Sequence, residues 1–362
     1  MRVHWIALAL VLVLASFAAC GGGGRGPEPG APVASPPPAT KASPAELDRI
    51  DVFGSKRLGR DEVLARWGDR LAELVRRGPG DDALWQKKTA LEAEIGAAGD
   101  LAFVDLAIVG YHEGQGAYLT VDLVDAEDRA RRMRFGPEPT GTPLDPDGLI
   151  ALWREYEEKM WKLMDEGAVR SVVEKCPFWH CITFAHESLI PYRDAFAKRV
   201  QPVERELAAV LREDRRAVHR AAAAFLLAHL PSGERVVELM LPSITDPDAL
   251  VRNNAMRVLA MIAREHPEIP IPLAPILEAL HFPTTLDRNK AAAIIEGITR
   301  RGVTAEVRAQ ILGAAGDVLV DMLALKQPNN HDFAYLILKH LAGRDLGEHA
   351  VDAWRAWARA PR

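Results

Sequence analysis

The chain has 362 residues and a hydrophobic fraction of 48%, enough for two folded domains plus tails. Its 45 Lys and Arg stand against 50 Asp and Glu, a formal net charge of −5. A mildly acidic chain is a poor nucleic-acid binder, so no nucleic-acid partner is expected.

Residues 1–19 read as a signal peptide. Arg2 supplies a short positive region, Trp5–Ala19 an apolar core, and small residues precede Cys20. The apolar run is shorter than the roughly 20 residues a membrane span needs. Phe17-Ala18-Ala19-Cys20 resembles the bacterial lipobox, with Phe in place of the usual Leu. That resemblance implies lipidation of Cys20, which then anchors the mature chain to a membrane. Gly21 follows the cysteine where enteric inner-membrane lipoproteins carry Asp, so the outer membrane is the expected address. Residues 20–45 form a Gly- and Pro-rich tether with no apolar periodicity, which cannot bury a core.

A small α+β domain is expected over 46–136. Ile50–Phe53 reads as a strand and Arg60–Arg77 as a helix with Val63, Leu64, Trp67, Leu71, Leu74 and Val75 on one face. Asp82–Ile95 reads as a second helix. Phe103–Val109 and Tyr118–Val124 alternate as strands around the loop His112–Ala117. Val104, Leu106 and Ile108 should face the core beside Leu119, Val121 and Leu123. The basic run Arg129–Arg134 is expected as a solvated face, with Arg131–Phe135 as a last edge strand. The order β-α-α-β-β, opening with IDVFGSKRLGRDEV, resembles a POTRA-type module. The resemblance implies partner binding by strand addition at a sheet edge, as in an outer-membrane assembly accessory.

Residues 137–148 are expected as a linker and 149–213 as capping helices. Leu149–Glu166 carries Leu149, Trp153, Tyr156, Met160 and Met164 along one stripe, which reads as core. Cys176, His180, Cys181 and His186 have metal-ligand chemistry, but a C-x3-H-C-x4-H spacing fits no tetrahedral zinc pattern. With Cys20 consumed by lipid, Cys176 and Cys181 remain as an even pair in an oxidising compartment, and a disulfide is expected. Residues five apart on a helix rise about 7.5 Å, too far for a bridge, so 176–181 must leave the helix; Pro177 permits that turn. A metal-dependent or other enzymatic domain centred on Cys176–His186, and free thiols, are the alternatives.

From 214 to 360 the pattern repeats. In Asp246–Arg264, Val251, Ala255, Val258, Leu259 and Ile262 make one apolar helical face, with Asp246 expected as N-cap before Pro247. Related stretches stand at Val218–Leu230, Asp287–Thr299 and Asn330–Leu341, with second helices at Arg235–Ile244, Leu273–Leu280 and Ala305–Leu325. Asp246, Val251, Arg252, Ala255, Leu259 and Ile262 together resemble the HEAT-repeat family. The resemblance implies an α-solenoid, in which each helix pair buries its apolar face against the next. Arg252, Asn253, Asn254, Arg288, Asn289, Lys290, Asn329, Asn330, His331 and Asp332 fall at equivalent positions. Such a polar column is either a partner-binding groove or the bonding between repeats, with Asn330 expected as an N-cap.

The chain carries no P-loop, Gly-x-Ser-x-Gly or His-Glu-x-x-His motif, and no catalytic set or cofactor is expected. The fold class expected is mainly α: a HEAT-like α-solenoid preceded by a small α+β domain and a disordered tether. The function expected is a lipid-anchored, non-enzymatic envelope scaffold that binds a protein partner through its repeats. The anchor is the sharpest of these expectations. Cells expressing the chain and fed labelled palmitate should label it, and Cys20→Ala should abolish the label; a labelled variant refutes lipidation at this residue.

Overall fold

The computed structural model describes residues 41–77, 82–111, 116–169, 177–181 and 186–360. The leader, Cys20 and most of the tether lie outside the described residues. The chain divides into two compact units, one ending at Glu127 and the other beginning at Asp128. It is mainly helical, with fifteen α-helices and one small three-stranded sheet among the described residues.

The first unit runs α1 (Pro44–Leu47), β1 (Ile50–Phe53), α2 (Arg60–Arg77), α3 (Asp82–Ala98), β2 (Leu101–Tyr111) and β3 (Gly116–Asp125). Ser43 and Glu46 cap α1 reciprocally, which satisfies two backbone donors that a helix start leaves open. The strands lie in the order β1-β3-β2, with β3 parallel to β1 and antiparallel to β2. Val104 pairs with Leu123, Leu106 with Val121 and Ile108 with Leu119, the expected partners. Their side chains share one face because strand side chains alternate. That face packs on Val63, Trp67, Leu71 and Leu74 of α2 and on Leu84, Leu91 and Ile95 of α3. The Trp67 indole N–H donates to Glu94 Oε1 at 2.9 Å, so its polar end is satisfied at the rim of this core.

The outer edge of β2 is covered at its centre. Leu106 N–H donates to Glu92 Oε1 of α3 at 2.8 Å. Lys88 bonds both Glu92 and Asp105 and holds the carboxylate in place. An open strand edge templates pairing with other chains, and a charged cluster laid along it is one way proteins prevent this.

The expected strand at Arg131–Phe135 is not formed. Residues Arg129–Arg132 are a short helix, α4, and the segment belongs to the second unit. Arg132 is buried and donates to the His281 carbonyl at 3.0 Å, and Arg134 pairs with Glu278 at 3.0 Å. Phe135 lies between Phe282, 5.1 Å away edge to face, and the Arg252 guanidinium, 4.0 Å from its ring. These contacts anchor the arginines singly, whereas a sheet edge would have required their alternation.

The second unit continues with α5 (Leu149–Asp165), α6 (Ile190–Arg199), α7 (Glu204–Glu213), α8 (Ala217–Leu227), α9 (Gly233–Met240), α10 (Ala249–Glu265) and α11 (Leu273–Ala279). It ends with α12 (Thr285–Thr299), α13 (Ala305–Leu323), α14 (Pro328–Ala342) and α15 (Val351–Arg359). Helix α10 packs between α8 and α12, and α12 packs on α14. Val251, Ala255, Val258, Leu259 and Ile262, the expected apolar face of α10, have no exposed surface. Helix α5 contacts α6 and α8. Its Trp153 lies 5.4 Å from both Phe196 and Phe225, so the expected aromatic stripe is core.

Two caps differ from expectation. Asp248, not Asp246, caps α10 by accepting from Leu250 and Val251 N–H; Asp246 is drawn away to an arginine of the preceding helix. Gln327, not Asn330, caps α14, and Asn330 N–H donates to it at 2.9 Å. The stretch expected as a linker is docked against the second unit. Gly136 N–H donates to the Thr245 carbonyl at 2.7 Å, and Arg215 N–H donates to the Gly141 carbonyl at 2.8 Å. Apart from a single 3-10 turn at Pro146–Gly148, its Pro and Gly content keeps the stretch irregular and leaves backbone groups free to bond.

Helix α12 lies close against α10 at Gly297. A Cβ on Gly297 would lie 2.9 Å from the backbone and Cβ of Ala263. Helices separate rather than compress at such a point, and overpacking of this kind costs about 1–3 kcal/mol. Gly297→Ala is expected to lower the unfolding free energy by that amount, read as a lower urea midpoint at an unchanged m-value; an unchanged midpoint would show the crossing to be looser than described.

Candidate functional site

The polar column is engaged in bonds between successive helices. Arg220 of α8 donates through two nitrogens to Asp246, at 2.7 and 2.8 Å, and to the Asp214 carbonyl. Arg252 of α10 repeats this with Asp287, at 2.8 and 2.9 Å, and with the Asp246 and Pro247 carbonyls. Arg288 of α12 donates to the Pro283 carbonyl at 2.7 Å and to Thr285 Oγ1. Asn254 donates to the Ala221 carbonyl, Asn289 to the Asn329 carbonyl, and Asn330 to Gln327 Oε1. Asn253 donates to Asn254. Bidentate Arg–carboxylate pairs this deeply buried are strongly geometry-dependent, and removing one partner leaves an uncompensated charge.

A second polar group of residues lies beside the column. Arg257 stands four residues after Asn253 on α10 and therefore on the same helix face. Its Nε is buried and makes no hydrogen bond. Burial pulls the guanidinium pKa down to about 10, opposed by the Glu157 carboxylate of α5. Lys290 of α12 is buried and donates to Asn289 Oδ1 at 2.7 Å. Burial, and then the positive charge of Arg257, brings its ammonium down to about 7. Burial pushes the Glu157 carboxyl up, against the pull of Arg154 and Arg257.

Two histidines adjoin these cations. His180 stacks on Phe225 at 4.6 Å, and burial, then Arg257, His229 and Lys290, drives its pKa well down. His229 Nδ1 donates to the Phe225 and Leu226 carbonyls at the end of α8, and burial holds it to about 4. Residues 177–181 are fastened at the same place. Trp179 N–H donates to the Ala228 carbonyl and its indole N–H to the Leu230 carbonyl at 2.7 Å, while Phe178 lies 4.3 Å from His229. Phe178 and Trp179 are thus seated at the end of α8. What this cluster offers chemically is two desolvated cations, Arg257 and Lys290, with the Glu157 carboxylate acting on Arg257.

The expected metal set does not assemble among the described residues. Cys176 lies outside them, and so does the expected Cys176–Cys181 bridge. His186 spends Nδ1 on the Ser188 backbone N–H and hydroxyl, capping a short turn at Glu187–Leu189. Another cluster does form: His331, Asp332 and Glu348 bring one ligand atom each within 4.8 Å of one another. Burial and the Glu348 charge push the Asp332 carboxyl up, opposed by His331.

Sequence reasoning named Lys290 and His180 but not Arg257, Glu157 or His229. The available signal was the four-residue step from Asn253 to Arg257, which continues the polar face into an apolar stripe. Compared with known proteins, the chain matches no family model, no curated protein and no solved structure. Among the described residues no helix is long and apolar enough to cross a membrane.

His229 gives the site a pH signature. Its folded pKa of about 4 lies below the ordinary 6.5, so between those values the unfolded chain binds a proton that the folded chain refuses. Folding stability therefore falls as pH is lowered from 6.5 and levels off below 4, by about 3 kcal/mol for this group at roughly 1.4 kcal/mol per unit. Urea unfolding across that range should show a shallower acid loss for His229→Phe than for the parent; identical slopes would exclude His229 as the source.

Proposed function

We propose that this chain is a non-enzymatic interaction protein of a bacterial envelope, held by lipid at Cys20 on the outer membrane. Its second unit is read as a HEAT-like α-solenoid. The support for that reading is the serial packing of α8, α10, α12 and α14, with matching Arg–Asp pairs at the first two junctions and an Asn289 bond to the Asn329 carbonyl at the third. The Cys176–Cys181 bridge belongs to the same reading, as a clasp near α8.

The observation that carries the binding assignment is the desolvated pair Arg257 and Lys290. Desolvation lowers the pKa of both; Glu157 opposes this at Arg257, whereas Lys290 feels only burial and the Arg257 charge, so an incoming anion would add favourable charge beside Lys290. The partner is therefore proposed to present an acidic side chain or a chain-terminal carboxylate. In envelopes crosslinked in living cells, the parent chain should capture a protein that the Arg257→Gln, Lys290→Met double variant fails to capture, with both forms melting cooperatively. Equal capture by the variant removes this cluster from the interface. Turnover of a small substrate by the purified chain would overturn the non-enzymatic reading altogether.

A second reading concerns the first unit. Its β-α-α-β-β order suits a POTRA-like module, and β2 is the strand at the edge beside α3. Strand addition there requires Glu92 to leave Leu106 N–H. Glu92→Ala should then increase capture of an extended peptide, whereas unchanged capture would count against use of that edge.

A further inference from the structure

We propose that His331, Asp332 and Glu348 form a binding site for a divalent transition cation of the zinc class. Sequence pattern placed His331 in the polar column, but its bonding differs from that of its neighbours. The imidazole sits in the first turn of α14 with 7% of its surface exposed. Its Nδ1 lies 2.7 Å from the carbonyl oxygen of Leu323, the last residue of α13. A carbonyl only accepts, so Nδ1 carries the proton and Nε2 holds the lone pair. A backbone carbonyl on the far nitrogen is the usual outer-shell partner of a metal-binding histidine, because it fixes both tautomer and ring orientation.

Nε2 is buried and makes no hydrogen bond. It points toward Glu348, whose Oε1 lies 3.4 Å away. That distance is long for a hydrogen bond. It suits two ligands of one ion: at bonds of about 2.1 Å, tetrahedral ligand atoms stand about 3.4 Å apart. The Asp332 carboxylate, next along α14, completes a set lying within 4.8 Å, so only a small rotation closes it.

Glu348 itself is exposed, but the loop that bears it is held at several points. Gly343 ends α14 in the left-handed conformation at φ 66°. Asp345 accepts from Tyr335 Oη at 2.6 Å and from Gly347 N–H at 2.8 Å. The Trp354 indole N–H of α15 donates to the Gly347 carbonyl at 2.8 Å. The carboxylate is thus presented to His331 by a loop tied to α14 and α15.

One imidazole and two carboxylates favour zinc or its neighbours over magnesium or calcium, which prefer all-oxygen shells. Three protein ligands leave the fourth position to water. The bound ion would join the start of α14 to the loop before α15.

The test uses the full chain, stripped with chelator, dialysed, and titrated with Zn²⁺ by calorimetry and with Co²⁺ by visible absorption. One equivalent of Zn²⁺ is expected to bind and raise the melting temperature, and Co²⁺ should develop the bands of a low-coordinate site. Glu348→Gln and Asp332→Asn are each expected to weaken Zn²⁺ at least about tenfold, the usual cost of disturbing a ligand set. Glu348→Gln replaces an exposed carboxylate, so it reads binding without risk to the fold. His331→Ala is expected to abolish binding. A parent chain that binds no Zn²⁺ overturns the proposal. So does stoichiometric binding unchanged in both carboxylate variants, which would place the metal on the thiols and leave His331 with Glu348 as an ion pair only.

Discussion

The second unit depends on one repeated interaction, an arginine of one helix closing on an aspartate at the start of the next. Arg220 meets Asp246, and Arg252 meets Asp287. Each aspartate also organises the turn that receives it. Asp246 accepts from Asp248 N–H, and Asp287 accepts from the Thr284 hydroxyl while its own N–H returns to that hydroxyl. The pair thereby couples the pitch between helices to the point at which each helix begins. Such pairs are costly to desolvate, and the backbone carbonyls of Asp214, Asp246 and Pro247 offset that cost by accepting the remaining guanidinium protons. Apolar packing supplies the bulk of the stabilisation, but it is non-directional and does not by itself fix helix register.

This arrangement also separates structural from available polarity. Arg252, Asn254 and Asn289 are bonded to neighbouring helices, whereas the half-buried Arg257 has a buried Nε that has no acceptor. The same contrast sets His331 apart from the column that contains it. Along these packed helices, a polar group whose donors are satisfied contributes architecture, and a departure from the pattern marks where a ligand can add bonds. In the first unit the rule acts in reverse: Leu106 N–H, an edge donor that could recruit another strand, is already taken by Glu92.

Much of the local structure could be read without coordinates. The strand β1 and the helix α2 begin and end at the expected residues, because Gly54 and the charged ends of Arg60–Arg77 punctuate them locally. The register of β2 on β3 followed from period-two alternation, since a one-residue slip would have exposed Leu106 and Val121. Arg131–Phe135 failed for a matching reason. Its apparent alternation of charge was too short to distinguish an edge strand from separately anchored arginines, and the partners at His281, Glu278 and Phe282 are about 150 residues away in the chain.

What the sequence determined by itself was therefore local: apolar faces, element order and the leader-like and tether-like composition of the amino-terminal stretch. Those properties rest on residues within a few turns of one another, where helix and strand geometry dictate which side chains share a face. Only the tertiary structure decided which member of a polar pattern was bonded and which was not. Asp246 and Asp248, or Asn289 and Lys290, are near-equivalent in sequence. Their roles diverge because Arg220 reaches one aspartate from the preceding helix, and because burial between α10 and α12 desolvates the lysine. Bonding and desolvation are set by neighbours distant along the chain, and a linear pattern contains no measure of that distance.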